Sequence, residues 1–437
     1  MLDIKFIREH KQLITKTTKA KNVDPSLVDK ALVLDEKYKN LILEIDKIRA
    51  KRNQIAKGGK ASVEGREIKD QLKEKESEFK EIEKALRDVL YKIPNVVAED
   101  VPEGKDETEN KVIRKWGQPK KFTFIPKDHV DLGKALGIID TETASKVTGS
   151  SFNYLKGDAV LLQNALYQFV ISVLTNEKTL KEIAEKTKKG YSAKSFIPVL
   201  PPLLIKPDIY EKMARLSTET EIERYAIPRD NQYLIGSAEH TLGPMHIDEM
   251  LEEKNLPFRY FAFTPAFRRE AGSYGKDTKG ILRQHQFDKI EMESFTIPED
   301  GQLEQDFFVN IQEYLMQKLK IPYQVVAICT GDMGGPDYRQ IDIEAWLPGQ
   351  DKYRETHTAD YMTDYQSRRL HTKVRMKNGE IKFVYMNDAT VFAMGRIIIS
   401  ILENYQQIDG SIEIPDVLRL YLNNKKNIKN SNARTNY

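Results

Sequence analysis

An α+β fold preceded by a long helical hairpin is what this 437-residue sequence predicts, on three observations. A heptad pattern occupies most of residues 27–93. Two β-prone segments, Phe258 to Phe263 and Phe287 to Phe295, enclose a long basic loop and read as antiparallel strands. Helix-like and strand-like stretches then intermingle up to about Leu422.

In chain order, Leu27, Ala31, Leu34, Tyr38, Leu41, Ile45, Ile48, Arg52 and Ile55 alternate spacings of four and three, the a/d seam of an amphipathic helix. Lys57-Gly58-Gly59-Lys60 interrupts it. The spacing resumes through Ile68, Leu72, Lys75, Phe79, Ile82, Leu86, Val89 and Ile93 and stops before Pro94. Two arms of about 30 residues, roughly 45 Å each, exceed what a compact domain needs, so the hairpin projects. Its interleaved Lys, Arg and Glu suit charge steering of a ligand, or a plain spacer or dimerisation coiled coil.

The length predicts two or three domains. Residues 1–100 form an N-terminal domain holding the hairpin (about 27–93), and 101–122 a linker marked by Pro102, Pro119 and the polar run Glu103 to Asn110. Residues 123–422 form the main domain. Asn423 to Tyr437, rich in Asn and Lys without apolar periodicity, is expected to be a disordered tail.

With 69 Lys+Arg against 66 Asp+Glu the formal charge is only +3, so any nucleic-acid contact must come from local patches. A single cysteine, Cys329, excludes an internal disulfide framework, and the histidines show no zinc-ligand spacing, which fits a reducing cytoplasm. The N-terminus lacks an apolar signal core and no run approaches the ~18 residues of a membrane span, so no membrane contact is expected.

The chemistry concentrates in Phe267 to Glu291, FRREAGSYGKDTKGILRQHQFDKIE. Gly272, Gly275 and Gly280 with Arg269, Lys276, Lys279 and Arg283 make its loop basic and long for a hairpin, a composition suited to a polyanion. Asn387 to Arg396, NDATVFAMGR, leads into the apolar helical run Ile397 to Leu402. Asp342 to Pro348 alternates like a strand and is followed by Tyr353-Arg354-Glu355.

The first of these strings resembles motif 2 of the class II aminoacyl-tRNA synthetases and, more narrowly, the seryl-tRNA synthetases; NDATVFAMGR resembles motif 3. Gly331 to Gly334 (GDMG) and Glu403 to Arg419 are further family matches. The resemblance implies an antiparallel sheet flanked by helices, ATP and Mg²⁺ as cofactors, L-serine as substrate, a homodimer, and an arm that embraces tRNA(Ser). It implies three catalytic residues, Arg268, Glu355 and Arg396. Arg268 would grip the α-phosphate and the serine carboxylate, Glu270 would meet the adenine amino group or orient the loop, and Arg283 would hold the outer phosphates. Phe287 would stack on adenine, with Arg396 covering the other face and reaching the γ-phosphate. Glu355 is the implied Mg²⁺ ligand, with Thr358 supplying a hydroxyl. Ser237 and Glu239 would receive the substrate ammonium, and Glu291 and Thr390 its side-chain hydroxyl.

The chain departs from that family near the substrate. Tyr210 to Arg224 lacks the usual glycine-rich segment, Glu355 to Tyr361 reads ETHTADY, and Asp388 stands where Asn is usual. Gly236, His357, Asp360 and Asp388 therefore bear on specificity. Pro198 to Leu204 is the motif 1 candidate for the dimer. The alternatives are a paralogue with another amino acid or carrier, and a catalytically silent RNA-binding paralogue.

Overall fold

The computed structural model describes residues 1–56, 63–217, 220–270 and 280–430. The glycine break at Gly58 and Gly59, the loop glycines Gly272 and Gly275 with Lys276 and Lys279, and the tail after Asn430 lie outside them.

The heptads form helices Ser26–Ala56 and Val63–Lys92, the second ending two residues before Pro94. Ala31, Leu41, Ile45, Ile68, Leu72, Leu86 and Val89 are buried along the seam, and the Tyr38 and Phe79 rings meet at 4.9 Å. Lys75 Nζ reaches Glu44 at 3.0 Å and Arg49 reaches Glu76 at 2.9 Å across the hairpin. The base of the arm joins the helices Ile4–Glu9 and Lys11–Ala20 in one apolar cluster that also holds Tyr365 of the main domain.

Polar contacts secure this base. Asn95 donates to the carbonyls of Pro336 and Met362 at 3.0 and 2.9 Å, and Tyr365 donates to the Ile93 carbonyl at 2.7 Å. The Arg369 guanidinium lies over the Tyr91 ring at 4.2 Å and donates to the Tyr91 carbonyl. Lys21, pushed down to about 8 by burial, donates to the Gly334 carbonyl at 3.1 Å.

The main domain is built on an eight-stranded sheet. Its strands are β1 Lys111–Trp116, β2 Ile197–Val199, β3 Phe258–Phe267, β4 Gln286–Thr296, β5 Tyr323–Ala327, β6 Arg339–Leu347, β7 Lys352–Thr363 and β8 Tyr385–Ala393. They lie in the order β1-β5-β6-β7-β8-β4-β3-β2, antiparallel except for β2 beside β3. Helices Asp158–Leu174, Gly301–Lys318 and Met394–Tyr405 pack on one face through residues such as Leu166, Phe308 and Ile398. The fold is the α+β architecture expected, with the two β-prone segments paired as β3 and β4.

Two stretches differ from their expected character. The proline-marked segment 101–122 contains β1, an edge strand paired with β5, because its Lys-Val-Ile-Arg-Lys-Trp run finds a free sheet edge that local composition does not reveal. Asn427–Ile428, in the stretch expected to be a tail, pairs with Ile412–Glu413 and buries Ile428. The motif 1 candidate, Pro198 to Leu204, runs from within β2 to the start of a short strand, Leu204–Ile205.

Candidate active site

Alternation along β4 sends Ile290 and Met292 into the core and turns Phe287, Lys289, Glu291 and Glu293 to the opposite face. On β8 and β7, Ala389 and Ala359 take the core side, leaving Thr390, Asp388, Thr358 and Asp360 on the other. Glu293, Asp388 and Asp360 stand in one row across the three strands. One face of these strands is thus hydrocarbon, and the other is a polar floor that gives way to a second apolar cluster at Phe295, Met386 and Met362.

Two bulges trim that floor. Val391 is an extra residue opposite the Ile290–Glu291 step, and Thr356 is extra opposite Ile343–Glu344. Glu355 and Thr358 are three residues apart, so a regular strand would turn them to opposite faces. The extra residue at Thr356 lets both line the same cleft.

At the open end, the Arg268 N–H donates to the His285 carbonyl at 2.9 Å, its Nε donates to the Gly236 carbonyl at 3.0 Å, and its guanidinium lies 5.4 Å from the Phe287 ring centre. Glu270 adopts a left-handed backbone, φ 50°, and accepts from Arg283 at 2.8 Å. Arg396, in the first turn after β8, pairs with the Glu355 carboxylate at 2.8 Å and donates to the Glu355 carbonyl at 3.0 Å. Beside it, a Cβ on Gly395 would stand 2.7 Å from the Ile281 carbonyl, an approach only glycine permits.

At the deep end, Lys289 Nζ sits 2.9 Å from Ser237 Oγ and 2.5 Å from Glu291 Oε2. His240 accepts from the Gly236 N–H through Nδ1 at 3.0 Å and faces Glu239 through Nε2 at 3.3 Å. Burial pushes His240 down to about 4, so the ring is neutral near pH 7 and donates to Glu239. Burial opposes charge on Glu239, yet Lys289 and His240 hold it well below the usual carboxylate range.

The acids beneath are pushed the other way. Burial raises Glu291 to about 8 and Asp388 to about 7, and lifts Glu293 and Asp360 well above their ordinary values. Arg215 supplies a cation, with Nη2 3.2 Å from Asp388 and 3.7 Å from Asp360. Among the described residues, Glu239 Oε2 and Glu291 Oε1 are buried with no hydrogen-bond partner.

Arg268, Glu270, Arg283, Phe287, Glu355, Thr358, Thr390 and Arg396 line this one cleft, and Ser237, Glu239 and Glu291 lie buried at its base. Among the departures, Asp360 and Asp388 belong to the floor. His357 does not: it turns to the core side, pairs with Thr356 Oγ1 at 2.8 Å and is pushed down to about 3 by burial. Sequence reading missed Lys289, His240, Arg215 and Arg224. Period-two spacing from Phe287 and Glu291 was a usable signal for Lys289, whereas nothing local marks Arg215. Among the described residues no group of three or more His, Cys, Asp or Glu side chains could hold a metal by itself.

An antiparallel sheet with paired arginines at one end of a cleft and buried acids at the other is the arrangement of a class II aminoacyl-tRNA synthetase. Residues 1–97 match the family model of the seryl-tRNA synthetase N-terminal domain, and residues 222–405 that of the class II tRNA synthetase core domain (G, H, P, S and T). A serine–tRNA ligase of Dictyoglomus thermophilum is 41% identical over 436 residues, spanning 97% of this chain and 98% of that protein. The crystal structure of Pyrococcus horikoshii seryl-tRNA synthetase complexed with ATP is 36% identical with a TM-score of 0.86, covering 98% of this chain and 100% of that one. The cytoplasmic serine–tRNA ligase of Naegleria fowleri in complex with AMP is 31% identical with a TM-score of 0.85, covering 99% of each chain. The chain belongs to the seryl-tRNA synthetase family.

Proposed function

We propose that this protein is a serine–tRNA ligase of the AMP-forming type: it activates L-serine with ATP to seryl-adenylate and transfers serine to the 3′ end of tRNA(Ser). The observation that carries this is the single cleft joining Arg268, Arg396 and Phe287 at its mouth to Ser237, Glu239, Glu291 and Thr390 at its base.

The serine carboxylate attacks the α-phosphorus and pyrophosphate leaves, so the protein's task is to gather anions and fix their geometry, with no protein nucleophile. Each outer arginine is paired with a carboxylate, Arg283 with Glu270 and Arg396 with Glu355. ATP phosphates would take over these guanidiniums, releasing Glu270 toward the adenine amino group and Glu355 toward a cation. Arg268, braced by the Gly236 carbonyl, keeps its guanidinium plane beside Phe287, where adenine stacks and the carboxylate meets the α-phosphate. Glu239 Oε2, ionised and without a partner among the described residues, suits the substrate ammonium, and Glu291 with Thr390 suits its hydroxyl.

Glu355, with its side chain half exposed at the cleft, and the nearby Thr358 fit Mg²⁺, a hard ion that takes one or two protein oxygens and completes its shell with phosphates and water. Bound there, Mg²⁺ would neutralise phosphate charge. The arm, projecting from a base fixed to the main domain, would hold tRNA(Ser) outside the site, in a cytoplasmic homodimer joined through the motif 1 segment. The N-terminal domain with its hairpin, residues 1–100, and the main domain, 123–422, would then divide tRNA holding from catalysis.

A second reading, activation of another amino acid, is favoured by the Arg215–Asp388 pair under the pocket, which lies in a segment atypical of the family. Amino-acid-dependent exchange of pyrophosphate into ATP, screened over the standard amino acids, decides between them. Exchange with serine alone, followed by charging of tRNA(Ser), is the expected result. Exchange with a different amino acid establishes the second reading, and exchange with none a silent paralogue.

A further inference from the structure

Arg224 lies beside the Gly236–Glu239 loop, in the segment that departs from the family pattern. Its Nε and Nη2 both donate to the Arg215 carbonyl, at 3.2 and 3.1 Å, which locks the guanidinium plane. Its guanidinium carbon lies over the buried Tyr210 ring, 5.4 Å from the ring centre. The remaining edge, Nη1, is aimed at Gly236, where it would stand 2.9 Å from an added Cβ; His240 Cε1 and Arg268 Cγ approach the same point at 3.2 and 3.6 Å. Among the described residues no acceptor hydrogen-bonds Nη1.

A guanidinium held by the Arg215 carbonyl turns its third edge to Gly236, the residue whose carbonyl Arg268 also grips. Burial, Arg268 and Arg215 push Arg224 downward, against Tyr210 and Glu239, which act in the other direction. Such a cluster is relieved by an anion between the cations. The outer phosphates fall to Arg283 and Arg396, whereas Nη1 faces the Gly236–Ser237–Glu239 loop, so the anion it meets is the one carried by the amino acid. We propose that Arg224 is a second substrate-binding cation that holds the amino-acid carboxylate together with Arg268. This rests on the reading of the site as one that activates an amino acid.

The test is pyrophosphate exchange with the Arg224→Gln and Arg224→Lys proteins, alongside calorimetric binding of L-serine and of L-serinamide, which lacks the carboxylate. Arg224→Gln is expected to raise the KM for serine at least tenfold, with the KM for ATP within twofold and serinamide binding unchanged; Arg224→Lys, keeping the charge without the fork, is expected to fall between. Equal weakening of serine and serinamide, or a serine KM within twofold of wild type, overturns the proposal and leaves Arg224 a brace for Arg215. If Arg224→Gln does not fold, the serine-to-serinamide ratio in Arg224→Lys decides by the same criterion. Should wild-type protein use a different amino acid, that acid and its amide replace serine in the same comparison, so the functional reading falls while this one is still tested. No exchange with any amino acid overturns both.

Discussion

Lys75 and Glu44 meet at 3.0 Å on the arm, and Lys289 and Glu291 meet at 2.5 Å in the cleft, yet the two pairs have opposite consequences. On the arm the side chains are 32% and 50% exposed, water screens them, and the pair adds little to a hairpin already held by its apolar seam. In the cleft they are 8% and 1% exposed, burial opposes the charge on Glu291, and Lys289 is what favours it. The same two residue types are a screened surface pair in one region and part of a buried cleft in the other, with burial as the deciding variable.

The largest effect should come where charge converges on a reacting centre. Arg268→Ala and Arg396→Ala should each reduce adenylate formation by roughly 10³-fold, about 4 kcal/mol, with the protein still folded. Pyrophosphate exchange by either folded variant at near wild-type rate would show that these cations do not meet the nucleotide.

Breaking the buried pair comes next. Lys289→Met leaves Glu291 without its cation, so the carboxyl keeps its proton, and the fold should lose up to about 1.4 kcal/mol at pH 9 in urea denaturation. The loss should shrink on acidification, because Glu291, already raised to about 8, then accepts a proton. The matching arm variant, Lys75→Met, should leave the urea midpoint where it was. Equal effects in the two variants would erase the contrast between the regions.

Asp388 sharpens the comparison through pH. Its carboxyl is raised to about 7 by burial, so between about pH 4 and 7 the folded protein keeps a proton that the unfolded chain has released. Stability therefore falls as pH rises through that window, by at most about 1.4 kcal/mol per pH unit for this group. Asp388→Asn should remove that share of the slope while Arg215 retains Asp360; an unchanged pH profile of thermal unfolding would mean that Asp388 is ionised throughout.

The arm should prove separable from the chemistry. Leu86, Val89 and Leu90 belong to the cluster at its base, so a clean cut lies further out, removing residues 42–78. That deletion should spare serine-dependent exchange and lower charging at limiting tRNA. Undiminished charging would make the arm a spacer.

Legibility followed the same divide. The arm's helices, ending at Lys92 before Pro94, follow from heptad spacing because that packing is between neighbours in sequence. The two strands of Phe258–Phe267 and Gln286–Thr296 were readable from β-prone composition, and the cleft residues Arg268, Phe287, Glu355 and Arg396 through the family resemblance of the contiguous strings that hold them. The edge strand Lys111–Trp116 was not, since its partner lies more than two hundred residues away.

What the sequence determined by itself is the set of local periods: the heptad seam, the alternation of β4, and the residue types that motif-like strings bring to one loop or strand end. Only the tertiary structure decided which Lys and Glu lose their water, that a bulge at Thr356 turns Glu355 and Thr358 to one face, and that Arg215 and Arg224 come from a distant segment to the pocket. The physical reason is that periodicity is written along the chain, whereas burial and the charge state it imposes depend on which strands become neighbours.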